Sequence, residues 1–211
     1  MALVKYNDRS LRNLTTAPAA ATGNSPGALQ HIKTLTASSS ATLAFVDGSD
    51  SVVLDSTYPI YKFELINVHP ETNNEHFEMN FTTDGTNFNV TKTSTTFWAY
   101  AFEGNASSVA LEYWGTGDLS QSTDDQNITV NVGNGNDESA SGQMYLFNPS
   151  STTFVKHFMS DTSTYNGGDA IYNVHAAGYG NTTSAITGVR FKFDSGNIDS
   201  GKIKLYGIKD S

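Results

Sequence analysis

The chain has 211 residues, weighs 22.7 kDa and carries a formal net charge of −9 with a sequence pI near 4.8. Ser, Thr and Asn supply 67 residues and charged residues only 16%, a mix poor in helix formers that excludes a coiled coil or helical bundle, while 11% aromatic residues exclude a wholly disordered chain. The acidity argues against nucleic acid and anionic membrane as partners, and the absence of cysteine excludes disulfides, thiolate zinc sites and a thiol nucleophile.

The opening MALVKYNDRSLRNL has no apolar h-region, and no apolar run approaches membrane-spanning length. Synthesis in a cytoplasm without an export signal, and no membrane insertion, are therefore expected. Up to Lys33 there are four basic residues (Lys5, Arg9, Arg12, Lys33) against Asp8 alone, so a basic start precedes an acidic body. The stretch TTAPAAATGNSPGAL is small, Pro/Gly-punctuated and without strand-like alternation. Residues 1–40 are expected to be an extended attachment arm and linker. Its partner-binding residues would be Val4, Tyr6, Arg9, Leu11, Arg12 and Leu14, apolar and basic side chains too few to build a core of their own.

Beyond Ser40 the pattern turns to period two, the signature of half-buried antiparallel strands. Tyr61, Phe63 and Leu65 alternate with Lys62 and Glu64; Phe77, Met79 and Phe81 with His76, Glu78 and Asn80. Ile128, Val130 and Val132 alternate with Asn127, Thr129 and Asn131; Val189, Phe191 and Phe193 with Arg190 and Lys192; Ile203 and Leu205 with Lys202 and Lys204. Segments such as TLAFV, SVVL, TFWAYAF, SVALEYW, QMYLF, TFVKHFM and AIYNVHA fit the same mould, with turn signals such as Asp84-Gly85, Gly133-Asn134 and Gly167-Gly168 between them. Ten to thirteen short strands predict an all-β domain over 41–211, an antiparallel, jelly-roll-like β-sandwich behind the extended N-terminal arm.

Chemistry is not announced. The five histidines form neither HxH nor HExxH, and no GxSxG elbow marks a serine nucleophile. Glu64 and Glu78 would share the outer face of neighbouring strands, but a solvated carboxylate has no reason for the raised pKa that acid catalysis needs. No catalytic, cofactor or metal residue is assigned, no cofactor is expected, and the chain is expected not to be an enzyme. Trp98, Tyr100 and Phe102 share one strand face and are expected in the core. Trp114 falls just before Gly115, at a strand end that opens a long acidic loop. With Asp118, Asp124, Asp125 and Tyr165 it forms the candidate surface-ligand loop, where a carbohydrate would be the ligand.

The run YPIYKFELINVHPETNNEHFEMNFTTDGTNF, the later FNPSSTTFVKHF and the closing SGNIDSGKIKLYGI resemble tail-fibre-like virion structural proteins of marine tailed bacteriophages, from about Leu35 to Ile208. In that family a Y-x-F-x-L-x-N-V-x-P strand leads to a T-D-G hairpin, and the domain closes on SG-x-I-x-SG-x-I-x-LYGI. The resemblance implies a virion protein made in the host cytoplasm and mounted on the particle exterior. It would be held to other virion proteins of the tail or capsid by its arm, contact the host surface as a tail-fibre component, and assemble as a homotrimer. A capsid decoration or head-fibre protein is the alternative, and a surface-glycan hydrolase a remote one.

Overall fold

The computed structural model describes residues 28–210, which hold twelve strands and no helix. They are β1 (Leu29–Thr36), β2 (Leu43–Val46), β3 (Ile60–Pro70), β4 (Phe77–Thr82), β5 (Lys92–Phe102), β6 (Asn105–Tyr113), β7 (Gln126–Asn127), β8 (Ala140–Phe147), β9 (Lys156–Asn166), β10 (Ala170–Gly180), β11 (Gly188–Phe193) and β12 (Ile198–Ile208). An eight-stranded sheet runs β1-β12-β3-β8-β9-β10-β5-β6, and a four-stranded one runs β2-β11-β4-β7, with every strand pair antiparallel. From β1 to β5 the chain changes sheet at each connection, so neither sheet forms without the other. The result is the expected antiparallel β-sandwich.

Alternation builds the core. Tyr61, Phe63, Leu65, Met144, Leu146, Ile203 and Leu205 point inward from the large sheet and are buried. Phe45, Phe77, Met79, Phe81, Val189, Phe191 and Phe193 meet them from the small one. Rings bridge the two layers: Phe63 lies 5.4 Å from both Phe45 and Phe191, and Phe81 lies 5.7 Å from Phe158. Each such aromatic removes 150–250 Å² of surface from water, and this burial is what holds a cysteine-free domain together.

Three expectations change. Residues 29–36 are not linker: β1 pairs with β12 from Leu29↔Ile208 to Thr36↔Lys202, and Ile32 and Leu35 pack on the core. A register shift between His31 and Lys33 interrupts the period-two pattern of this strand. The arm residues Val4, Tyr6, Arg9, Leu11, Arg12 and Leu14 lie outside the described residues. NITVNV buries Ile128, Val130 and Val132 as expected, but only Gln126–Asn127 is strand: Asn131 turns to φ 44°, and Val132 makes isolated bridges to Glu75 and Asn166. Trp98, Tyr100 and Phe102 are half-buried rather than core: they face inward at an end of the large sheet that the four strands of the small one do not fully cover.

The motif residues form a built irregularity. Asn67 sits at φ 47°, where the β3–β8 register shifts between Leu65 and Val68, so that Val68 returns inward after Leu65. Opposite it Gly201 adopts φ 118°, and a Cβ there would fall 2.6 Å from the Asn67 carbonyl oxygen. The Gly of LYGI, Gly207, is covered by the Tyr58 ring, which a Cβ would meet at 2.3 Å. The expected T-D-G hairpin is instead a turn between sheets, because β4 and β5 do not pair: Asp84 Oδ1 accepts N–H bonds from Thr86 and Asn87, both 2.8 Å, and the hydrogen bonds from Asn87 lead in holding its carboxyl far below the usual range.

Candidate functional site

The predicted surface-ligand residues do not gather into one site. Trp114 is sealed, only 8% exposed, with Trp98 at 4.7 Å and His76 at 5.3 Å, and its ring lies where a Cβ on Gly117 would go. A sugar platform needs an open aromatic face, so Trp114 is a core residue of a satellite cluster with Val130 and Val174. Asp118 accepts a short hydrogen bond from the Tyr113 hydroxyl. Asp124 accepts one from Ser122 at 2.7 Å. Asp125 is structural: Arg190 Nη2 reaches its two oxygens at 2.8 and 3.1 Å, and Lys192 Nζ lies 3.6 Å away. Tyr165 stands apart on β9, with its hydroxyl 3.4 Å from Asp169.

Glu64 and Glu78 are also separated, on β3 of the large sheet and β4 of the small one, so they are not a carboxylate pair. Glu64 is held below its ordinary pKa by the hydrogen bond from Lys62 at 2.8 Å. Among the described residues no group of three or more His, Asp or Glu is placed to hold a metal ion. In the acidic turn DGSDS, Asp47 accepts the Leu54 N–H at 2.8 Å and Asp50 pairs with Lys33 at 2.9 Å.

What strand register does assemble is a surface. Glu64, Gln143, Asp161, His175, Phe97 and Tyr113 are successive cross-strand partners on β3, β8, β9, β10, β5 and β6. All six point away from the core, and at one strand spacing per step the row is about 24 Å long. Its first half is polar: Asn173 Nδ2 donates to Asp161 Oδ1 at 2.8 Å, and Asn173, Asp161, Gln143, Ser141, Ser163 and Glu64 line a shallow open depression of about 410 Å³. Its second half is apolar and flat: the His175 and Phe97 rings stack at 5.1 Å and 20°. Phe97, Val109, Leu111, Tyr113, Met159 and Ile171 are all large and exposed on this face, among eight such residues in the described chain. A contiguous apolar patch of this kind marks a contact surface. Outward alternation on β6 was visible in SVALEYW, but a half-buried strand and an exposed edge strand have the same period.

A separate carboxyl pair lies at the small sheet. Glu75 hydrogen-bonds Asp194, and that bond, with burial and the charges of Asp194 and Glu78, raises its pKa to about 7. Asp194 Oδ1 also accepts the His76 backbone N–H at 2.8 Å. A carboxyl whose pKa rises on folding contributes stability at pH values below its unfolded pKa and loses it as pH climbs through 7. Glu75→Gln is therefore expected to be more stable than wild type at pH 8, by a few tenths of a kcal/mol for so exposed a group, with the difference closing below about pH 5. Chemical denaturation at the two pH values checks this, and equal stability at pH 8 would sink it.

Comparison with family models, with curated proteins and with solved structures finds no match.

Proposed function

We propose that this protein is a virion structural component of a tailed bacteriophage, mounted on the particle exterior by its N-terminal arm and contacting the host surface as a tail-fibre component. The observation that carries the reading is the open outer face of the eight-stranded sheet: a polar depression beside exposed aromatic and aliphatic side chains, spread over six strands. Such a face suits contact with an extended surface, whose hydroxyls would meet Asp161, Asn173 and Gln143 while apolar sugar faces lie on Phe97 and His175. The sequence motifs support membership in the tail-fibre-like family, and the resemblance favours a trimer. The proposed ligand is a neutral host glycan, because the one cation lining the depression, Lys62, is paired with Glu64 at 2.8 Å and Asp161 leaves the lining with a net negative charge.

The test is adsorption of the purified protein to host cells. Wild type is expected to bind and to compete with phage, while Asp161→Ala combined with Asn173→Ala lowers binding about tenfold without unfolding the domain. Absence of wild-type binding would eliminate host contact. A cryo-electron microscopy map of the native particle with the chain on the capsid lattice would favour the decoration alternative.

A further inference from the structure

The two edges of the large sheet differ. β1 is guarded by a register shift between His31 and Lys33 and by Lys33 itself, paired with Asp50 at 2.9 Å. The small sheet ends in strands of four and two residues, too short to template pairing. At β6 the run Val109–Tyr113 has no Lys, Arg or Pro, keeps regular register with β5 from Ala101↔Val109 to Phe97↔Tyr113, and has no further strand beside it among the described residues.

Hydrogen bonding shows which backbone groups face outward. Ser94 N–H donates to Leu119 O and Trp114 N–H to Thr96 O, both at 2.9 Å, so the even-numbered residues of β5 aim their backbone groups toward the β6 side. By antiparallel alternation Ala110 and Glu112, partners of Tyr100 and Trp98, bond to β5. Val109, Leu111 and Tyr113 then turn their N–H and C=O groups to the free edge. These residues also present the most exposed apolar side chains of the strand, at 56%, 73% and 67%.

We propose that β6 pairs antiparallel with β6 of a second copy of this chain, about a two-fold axis at Leu111. That register sets Leu111 against Leu111 and Val109 against Tyr113, a β-branched and aromatic pair, and closes about six backbone hydrogen bonds. Glu112, the one charge in the run, meets Ala110 instead of its own copy, so no like charges oppose. Centring on Val109 would set Leu111 against Ser107 and Tyr113 against Asn105, and is disfavoured. The chemistry of the edge is thus its own complement, which selects a second copy as the occupant over a charged or strongly polar partner. The strip buried is at the low end of interface sizes, so dissociation is expected in the micromolar range. An edge that pairs with itself is two-fold, which departs from the trimer favoured by the resemblance. It leaves both outer faces on the same side of a continuous sheet, and it holds wherever the protein sits.

The experiment is sedimentation of the full chain from roughly 1 to 300 μM, with hydrogen exchange at both ends of that range. A dimer is expected, with the Val109, Leu111 and Tyr113 amides exchanging fast in the monomer and protected in the dimer. Leu111→Lys is expected to weaken dimerisation about 100-fold and Leu111→Thr about tenfold, with Glu112→Gln unchanged. Each substitution is at an exposed position, so thermal melting should match wild type at dilutions where both are monomeric. A monomer at every concentration, a trimer, full dimerisation of Leu111→Lys, or protection of these amides in the monomer would each overturn the proposal; the last would place other residues of the same chain on the edge.

Discussion

Phe191→Ala is expected to destabilise the domain by about 3–5 kcal/mol, the largest effect of any single substitution discussed for this chain. The residue is fully buried on β11, between the two layers, with ring centres 5.4 Å from Phe63, 6.0 Å from Phe77 and 6.4 Å from Phe45. Truncation forfeits the transfer free energy of the ring and leaves a cavity walled by three other rings, each fixed by its own strand and unable to collapse into it. A domain of this size has only about 5–15 kcal/mol of net stability, so the variant loses about a fifth of it or more. Urea titration checks this: the midpoint should fall with little change in slope. Phe191→Leu should cost less than about 1.5 kcal/mol, and Phe154→Ala, at a position 70% exposed, less than about 0.5 kcal/mol. A cost below about 1 kcal/mol for Phe191→Ala would show that the aromatic cluster is not the joint between the sheets.

The alternation at Tyr61-Phe63-Leu65, Phe77-Met79-Phe81, Val189-Phe191-Phe193 and Ile203-Leu205 was legible because each strand has one face in the core, and period two reports that directly. β1 was not, because a one-residue shift reverses which side chains face in, and the pattern on either side no longer joins. The motif residues Asn67, Asp84 and Gly201 have a structural cause. Asn67 and Gly201 face each other across paired irregularities in β3 and β12, and Asp84 fixes the turn that takes the chain from β4 to the other sheet, so these residues specify sheet geometry and not a ligand.

The surface site was illegible for a different reason. Its six-residue row takes one residue from each of six strands that lie between Ile60 and Gly180, and only the strand order brings them into line. Loop position was the wrong guide for Trp114: it follows β6 directly, yet its backbone N–H bonds to Thr96 O, which turns the ring under the sheet against Trp98. Glu64 and Glu78 fail in the same way, since closeness in sequence says nothing about which of two sheets a strand joins.

Between pH 8 and 9.5 the protein is expected to become more stable as pH rises, and Lys92 is the main cause. Its side chain is fully buried at the start of β5, with Nζ donating to Asn80 Oδ1 at 2.6 Å and to Val90 O at 2.8 Å. Burial pushes the ammonium down to about 8, against the attraction of Asp125 and Asp124. The unfolded chain keeps the proton to about 10.4, so between the two values the unfolded state binds more protons and stability climbs with pH. Over this window the gain is on the order of 1–2 kcal/mol. Above about pH 10 the sign reverses, because burial raises the pKa of the Tyr61 phenol and the folded state then retains a proton that the unfolded one releases. Lys156, which donates to Phe154 O at 2.8 Å and Thr182 O at 3.2 Å, is also lowered by burial and adds to the slope. Lys92→Met isolates the first lysine: it keeps the length of the side chain and removes the titrating group, so its stability should rise less steeply over the same window. Chemical denaturation of both proteins at pH 8.0 and 9.5 decides the matter, and parallel slopes would mean that the Lys92 amine is hydrated and ionised as in water.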